Sequence, residues 1–230
     1  MLLYHAVTSH TLELLNHLSS KLASTDLRLV GGTALALQYG HRSSIDLDFF
    51  GTLDDRVVNL HKVLDSIGSY EVIKETENIR IYNLEGVKVD FVDYSMYPWI
   101  DAPIMEDGLR LASPRDIAAM KINAIEGRGS RKDFIDIYFL LQHFSLNEIM
   151  GFYQQKYPNY SIFRALKSLS FFTDAEAQLM PVRSAVRITR FRTWRSWAEA
   201  LILSPVRFPL PIMVCFSSMS CQSSREQLLR

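Results

Sequence analysis

Cysteine is nearly absent. The only two in 230 residues, Cys215 and Cys221, sit near the C-terminus with no histidines at metal-ligand spacing, which excludes a disulfide framework or a thiolate metal centre as an organising feature. Long apolar runs are also missing, none approaching the roughly 20 residues of a membrane span, so no membrane partner is expected. Residues Met1 to His5 show no basic stretch leading into an apolar one, and the expected compartment is cytoplasmic. Net charge is zero, with 25 basic and 25 acidic residues, yet the balance hides an asymmetry. Residues 181–230 carry eight Arg, no Lys and two acids, Glu199 and Glu226, for a net of +6; this leaves 17 basic and 23 acidic residues, or −6, in residues 1–180. A mildly acidic body argues against a broad electrostatic grip on long duplex nucleic acid, though not against a local basic track.

What is present is concentrated in one stretch. Leu27 to Val30 reads as a short buried strand, Gly31-Gly32-Thr33 comes next, Ala34 to Tyr39 carries strong helix formers, and Gly40 is a natural stop. Glycines at a strand-to-helix turn leave backbone N–H groups and a helix N-terminus open to phosphate. Ile45 to Phe50 alternates as a strand does, so Asp46 and Asp48 project to one face. Paired carboxylates raise each other's pKa unless a cation lies between them, and oxygen-only ligands suit Mg²⁺ held together with substrate phosphates. A phosphate cradle followed by a Mg²⁺ pair outlines a nucleotidyl-transfer site.

Around this stretch, periodicity predicts a first helix capped by Ser9, a helix over 55–67, and strands over 70–74, 79–84, 87–94 and 109–111. Leu84-Glu85-Gly86 makes a tight connection between two of the strands. Ser113-Pro114-Arg115-Asp116 starts a helix that stops at Gly127, and further helices are expected over about 130–143, from Ser145 with a capping box to Glu148, and over 161–170. The division expected is a core over 1–112, a helical region over 113–180 that completes the site, and an atypical tail over 181–230.

The run Gly31-Gly32-Thr33-Ala34-Leu35-Ala36-Leu37-Gln38-Tyr39-Gly40-His41-Arg42-Ser43-Ser44-Ile45-Asp46-Leu47-Asp48-Phe49-Phe50 resembles the signature of the AbiEii-type toxin nucleotidyltransferases, within the DNA polymerase β-like superfamily. A second block, from Asp116 to Lys121 and on through Arg128-Gly129-Ser130-Arg131-Lys132-Asp133 to Asp136 and Tyr138, is similar to that family's later motifs. The resemblance covers roughly residues 1–180. It implies an α+β fold, a mixed sheet flanked by helices and followed by a helical region, and Mg²⁺-dependent transfer of a nucleotide from an NTP to a macromolecular acceptor, RNA (tRNA in particular) or protein. It also implies a separately encoded antitoxin and a role in phage defence. A catalytically inactive nucleotide-binding regulator of the same fold is the alternative.

Carried onto these positions, the resemblance implies that Asp46 and Asp48 bridge two Mg²⁺ ions. A third carboxylate arrives from a later strand, with Asp90 the best fit and Asp93 the fallback. Gly31, Gly32 and the Thr33 hydroxyl would hold the β- and γ-phosphates, and Lys121 would meet the nucleotide as a point charge. Asp136 takes the place of the late functional aspartate; pairing with Lys121 or Arg131 is its plainer alternative, and Asp133 shares its helix face. Arg128, Arg131 and Lys132 cluster at a turn that is either simply solvated or suited to acceptor phosphates. His41 and Arg42 match the signature without an assigned role. Beyond Met180-Pro181 the likeness stops, and four of the eight prolines and both cysteines fall within residues 181–230. An out-of-frame extension, dispensable for chemistry, is the expectation there; an Arg-rich arm for RNA is the alternative.

Overall fold

The structure, a computed structural model, describes residues 1–170. The expectations for the tail over 181–230 fall outside them. Seven strands form one mixed sheet: β1 (Arg28–Leu29), β2 (Leu47–Gly51), β3 (Tyr70–Glu75), β4 (Ile79–Leu84), β5 (Val87–Asp93), β6 (Ile104–Glu106) and β7 (Leu109–Leu111), in the order β3-β4-β5-β2-β1-β7-β6. β2 is parallel to β5 and β1 to β7, while the other neighbours are antiparallel. Helices α1 (Ser9–Lys21), α2 (Gly31–Tyr39) and α3 (Leu60–Asp65) are interleaved with the strands. After β7 come α4 (Pro114–Gly127), α5 (Arg131–Leu140), α6 (Leu146–Lys156) and α7 (Ile162–Leu169). This is the expected mixed sheet flanked by helices, with further helices after it.

Alternation builds the centre of the sheet. Leu47 and Phe49 of β2 and Val87, Val89 and Phe91 of β5 are buried on one face, where the Phe49 and Phe91 rings stack at 5.5 Å. That leaves Asp48 and Asp90 on the opposite face. α2 is buried from Gly32 to Leu37 without a polar stripe, because β2, α4 and α5 all pack against it. It ends at Gly40, whose φ of +67° gives the left-handed cap. Ser113 caps α4, accepting from the Asp116 N–H at 3.1 Å, with Pro114 as first helical residue. The capping box of Ser145 and Glu148 starts α6 as expected.

Three local expectations shift. The helix expected from Asp55 begins only at Leu60. Asp54 gathers the N–H groups of Arg56, Val57 and Val58 into a turn, and the Asn59 side chain caps Lys62. The β-branched pair Val57-Val58 offers little to oppose that turn. Thr8, not Ser9, caps α1 by accepting from the Thr11 N–H. β6 is an additional strand, joined to β7 by a tight hairpin at Asp107-Gly108, both at positive φ.

A buried ion pair ties the later helices to the loop after β5. Lys156 and Asp116 are both fully buried, with Nζ 2.7 Å from Oδ1. Lys156 also donates to the Pro98 carbonyl at 2.9 Å and lies over the Trp99 and Tyr94 rings, and Asp116 accepts from the Ile100 N–H. Burial lowers the Lys156 pKa, and the Asp116 carboxylate opposes that shift. Lys156→Met would strand Asp116 without a counter-charge and is expected to cost about 3–5 kcal/mol. Urea unfolding checks this; a loss under about 1 kcal/mol would mean that Asp116 is adequately served by its remaining donors.

Candidate active site

The glycines turn out to be the first residues of α2 itself. Its N-cap, Val30, has no side-chain acceptor, so the leading N–H groups of α2 have no side-chain cap from that position. Gly31 sits at φ +69°, and a Cβ added there would lie 2.4 Å from Oδ2 of Asp48. The helix start is thus pressed directly against the last carboxylate of the signature. Any side chain at 31 would be strained by the backbone and would collide with Asp48 as well.

Thr33 explains how the second half of the signature is held. Its hydroxyl is fully buried, hydrogen-bonded to the Ser44 hydroxyl at 2.8 Å and to the Asp46 carbonyl. Those two bonds fix the loop that carries Asp46.

Asp48 and Asp90 are direct partners across the parallel β2–β5 pair, so their carboxylates lie side by side. Burial, and then the charge of Asp90, push the Asp48 pKa up to about 6. Asp90 accepts from Lys88 through Oδ2, while its Oδ1 is buried with no hydrogen-bond partner. Asp46 precedes β2, is more exposed, and has the Lys132 ammonium at 3.6 Å. Asp93 lies opposite Gly51 at the end of β5 and takes the Ser95 N–H, so Asp90 is the later carboxylate beside Asp48.

An orphaned buried carboxylate oxygen, next to a carboxyl that holds its proton unusually high, fits a divalent cation. Among the described residues no group of three or more His, Cys, Asp or Glu side chains stands close enough together to hold a metal ion. That too is compatible with Mg²⁺, which relies on one or two carboxylates and completes its shell with water and phosphate oxygens.

Facing the carboxylates is a buried network of the opposite sign. Asp136, wholly buried, receives His41 Nε2 at 2.7 Å, Arg42 Nε at 2.6 Å, Arg42 Nη2 at 2.9 Å and Lys121 Nζ at 2.7 Å. Burial alone would raise its pKa, but the His41 and Arg42 hydrogen bonds and the Lys121 charge hold it far below the usual carboxylate range. Asp133, also buried, takes Lys121 at 2.9 Å, Arg128 at 3.0 Å and the Ser130 hydroxyl at 2.6 Å. Lys121 is therefore paired with both aspartates, and Asp136 is the one that reaches the signature loop. The roles of His41 and Arg42 could not be read from the sequence because their partner is about ninety residues away. Lys88 was readable, lying two residues from Asp90 on the same strand face.

A fold and a site of this kind define a class, the nucleotidyltransferases. The family described as "Nucleotidyl transferase AbiEii toxin, Type IV TA system" matches residues 13–193, and the chain belongs to that family. The match continues past residue 180, where the likeness read from the sequence had stopped. An uncharacterised protein of Aquifex aeolicus (strain VF5) is 35% identical over 161 residues, 67% of this chain and 77% of its own. Among solved structures, ANT(2'')-Ia in complex with adenylyl-2''-tobramycin shares the fold. It has a TM-score of 0.54 at 14% identity, covering 67% of this chain and 100% of that one. JHP933 from Helicobacter pylori gives a TM-score of 0.47 at 20% identity, over 74% of this chain and 92% of that one.

The raised Asp48 pKa has a testable sign. Below about pH 4 the carboxyl is protonated in both folded and unfolded chains. Above pH 6, the value to which burial and Asp90 raise it, it is charged in both, and the folded protein carries the full cost of that charge. Stability should therefore fall across that window as pH rises. Asp48→Asn is expected to raise the stability of the metal-free protein at pH 7.5 by on the order of 1–3 kcal/mol, and to flatten the slope between pH 4 and 6. Denaturation curves at several pH values decide; a variant as pH-sensitive as the parent would acquit Asp48.

Proposed function

We propose that the protein transfers a nucleotide from a Mg²⁺-bound nucleoside triphosphate to a macromolecular acceptor, as the toxin of an AbiE-type toxin–antitoxin system active in phage defence within the cytoplasm. The observation that carries this reading is the side-by-side placement of Asp48 and Asp90, with the start of α2 against Asp48. Asp46, Asp48 and Asp90 would hold two Mg²⁺ ions. Bound there, the metal would neutralise charge developing on the attacking and leaving oxygens.

The chain's own groups divide the remaining work. The N–H groups of Gly31, Gly32 and Thr33 offer backbone donors to the triphosphate. Lys121, held by Asp133 and Asp136, supplies a fixed positive charge close by. The Asp90 oxygen without a partner would take a proton from the acceptor or bind a metal ion, but not both at once. At the rim, Arg128 and Lys132 are largely exposed and Lys88 is half-exposed. These cations favour RNA, tRNA included, over a protein hydroxyl as acceptor. A separately encoded antitoxin is part of the proposal.

Incubation with each α-labelled triphosphate, Mg²⁺ and total tRNA or lysate is the direct test, with label expected in RNA. Binding of a triphosphate without transfer to any polymer would favour an inactive regulator. Asp46→Asn and Asp48→Asn are each expected to cut labelling by at least about 100-fold with the fold intact; near-normal labelling in both would defeat the metal assignment. Lys121→Ala should weaken triphosphate binding. If it only unfolds the protein, leaving the kinetics of the surviving fraction unchanged, Lys121 is there to neutralise the two aspartates.

A further inference from the structure

Gly32 differs from Gly31 in a telling way. Its backbone is not in the left-handed region, so nothing about its φ demands glycine. What demands it is Arg42: a Cβ built on Gly32 would lie 1.9 Å from Nη2 and 2.9 Å from Cζ of that side chain. The guanidinium therefore approaches the second residue of α2 with its Nη2 foremost. It is held there by two parallel hydrogen bonds to Asp136 and a third to the Ser43 carbonyl.

This position is electrostatically awkward in isolation. The start of a helix carries partial positive charge, and a guanidinium laid over it repels that charge. Asp136 does not cancel the repulsion alone, because Lys121 shares it. In the network, Arg42, Lys121 and the largely exposed Arg128 share the buried carboxylates Asp133 and Asp136, while Asp48 lies against the first residue of the same helix, whose Val30 N-cap offers no side-chain acceptor. An anion seated on that turn would resolve the conflict, and a forked guanidinium is the side chain best shaped to take phosphate oxygens in pairs.

We propose that Arg42 is a triphosphate-binding group of the site, that Asp136 is the positioning residue that aims it, and that Gly32 is glycine to leave it room. This rests on the nucleotidyl-transfer reading above and adds to it a second cation besides Lys121. It also assigns Asp136 a task without contact to the reactants, consistent with its complete burial.

Gly32→Ala tests this without altering any charge. Alanine is the better helix former, but its methyl group should displace the guanidinium and loosen the buried Asp136 pairing. The variant is therefore expected to fold with some loss of stability; Arg42→Lys, which needs no such displacement, decides if it does not fold. Titration calorimetry with each of the four nucleoside triphosphates in Mg²⁺ is expected to show Gly32→Ala and Arg42→Ala each weakening affinity by about tenfold or more. The double variant is expected to be no weaker than Arg42→Ala alone. Arg42→Lys, which keeps charge but not the fork, should recover only part of the loss. Asp136→Asn should raise KM more than it lowers kcat; if it fails to fold, the glycine variants still decide. Unchanged affinity in the single variants would overturn the proposal. So would losses that add in the double variant, since Gly32 would then serve the ligand's own approach to the backbone. A parent protein that binds no triphosphate sinks the nucleotidyl-transfer reading and this inference together; a parent that binds, with variants that bind equally well, sinks this inference only.

Discussion

Two carboxylates forced together on adjacent parallel strands are the constraint around which this protein is arranged. The register of β2 against β5 leaves no choice: once Leu47, Phe49, Val89 and Phe91 are buried on one face, Asp48 and Asp90 must share the other. Like charges so placed destabilise the folded chain, and the Asp48 carboxyl answers by holding its proton to about pH 6. The surroundings soften the cost from several directions. Lys88 covers one oxygen of Asp90, Lys132 approaches Asp46, and the positive end of α2 abuts Asp48. One oxygen of Asp90 is left without a partner, which marks the arrangement as built for something other than the stability of the ligand-free chain.

Much of this was legible in the sequence because the information is local. Period-two alternation put Asp48 on the face opposite Leu47 and Phe49 and marked β4 and β5 nearly to the residue, whereas Asp46, expected on the same strand, lies just before β2. The caps at Ser113 and at Ser145 with Glu148 announce α4 and α6 through side chains three residues apart. Where reading failed, a tertiary or turn contact had overridden a local tendency. Val57 and Val58 carry apolar spacing but belong to a turn organised by Asp54.

The cation network was the least legible part. No periodicity connects His41 and Arg42 to Asp136, and nothing in the run from Gly31 to Phe50 shows that Gly32 must leave space for a guanidinium ten residues on. Such contacts exist only once α2 is packed against α4 and α5. Lys121 illustrates the same limit: its two readings, nucleotide contact and ion pair, appear as alternatives in the sequence. In the structure both aspartates already hold it, and the pairing is what would keep the ammonium fixed for a ligand.

The two sequence blocks thus contribute opposite halves of one electrostatic field. The sheet side, residues 46, 48 and 90, is negative; the helical side, residues 121 and 128 together with Arg42, is positive and fixed by buried aspartates. Neither half is tolerable alone, since uncompensated carboxylates and a guanidinium over a helix N-terminus both carry a standing cost. On the proposed reading, a cation chelated by an anion would relieve both costs at once, the metal meeting the carboxylates and the phosphates meeting the cations. That complementarity supports the proposed metal–triphosphate substrate better than either half does, because one such occupant would meet the raised Asp48 pKa, the unpartnered Asp90 oxygen and the position of Arg42 together.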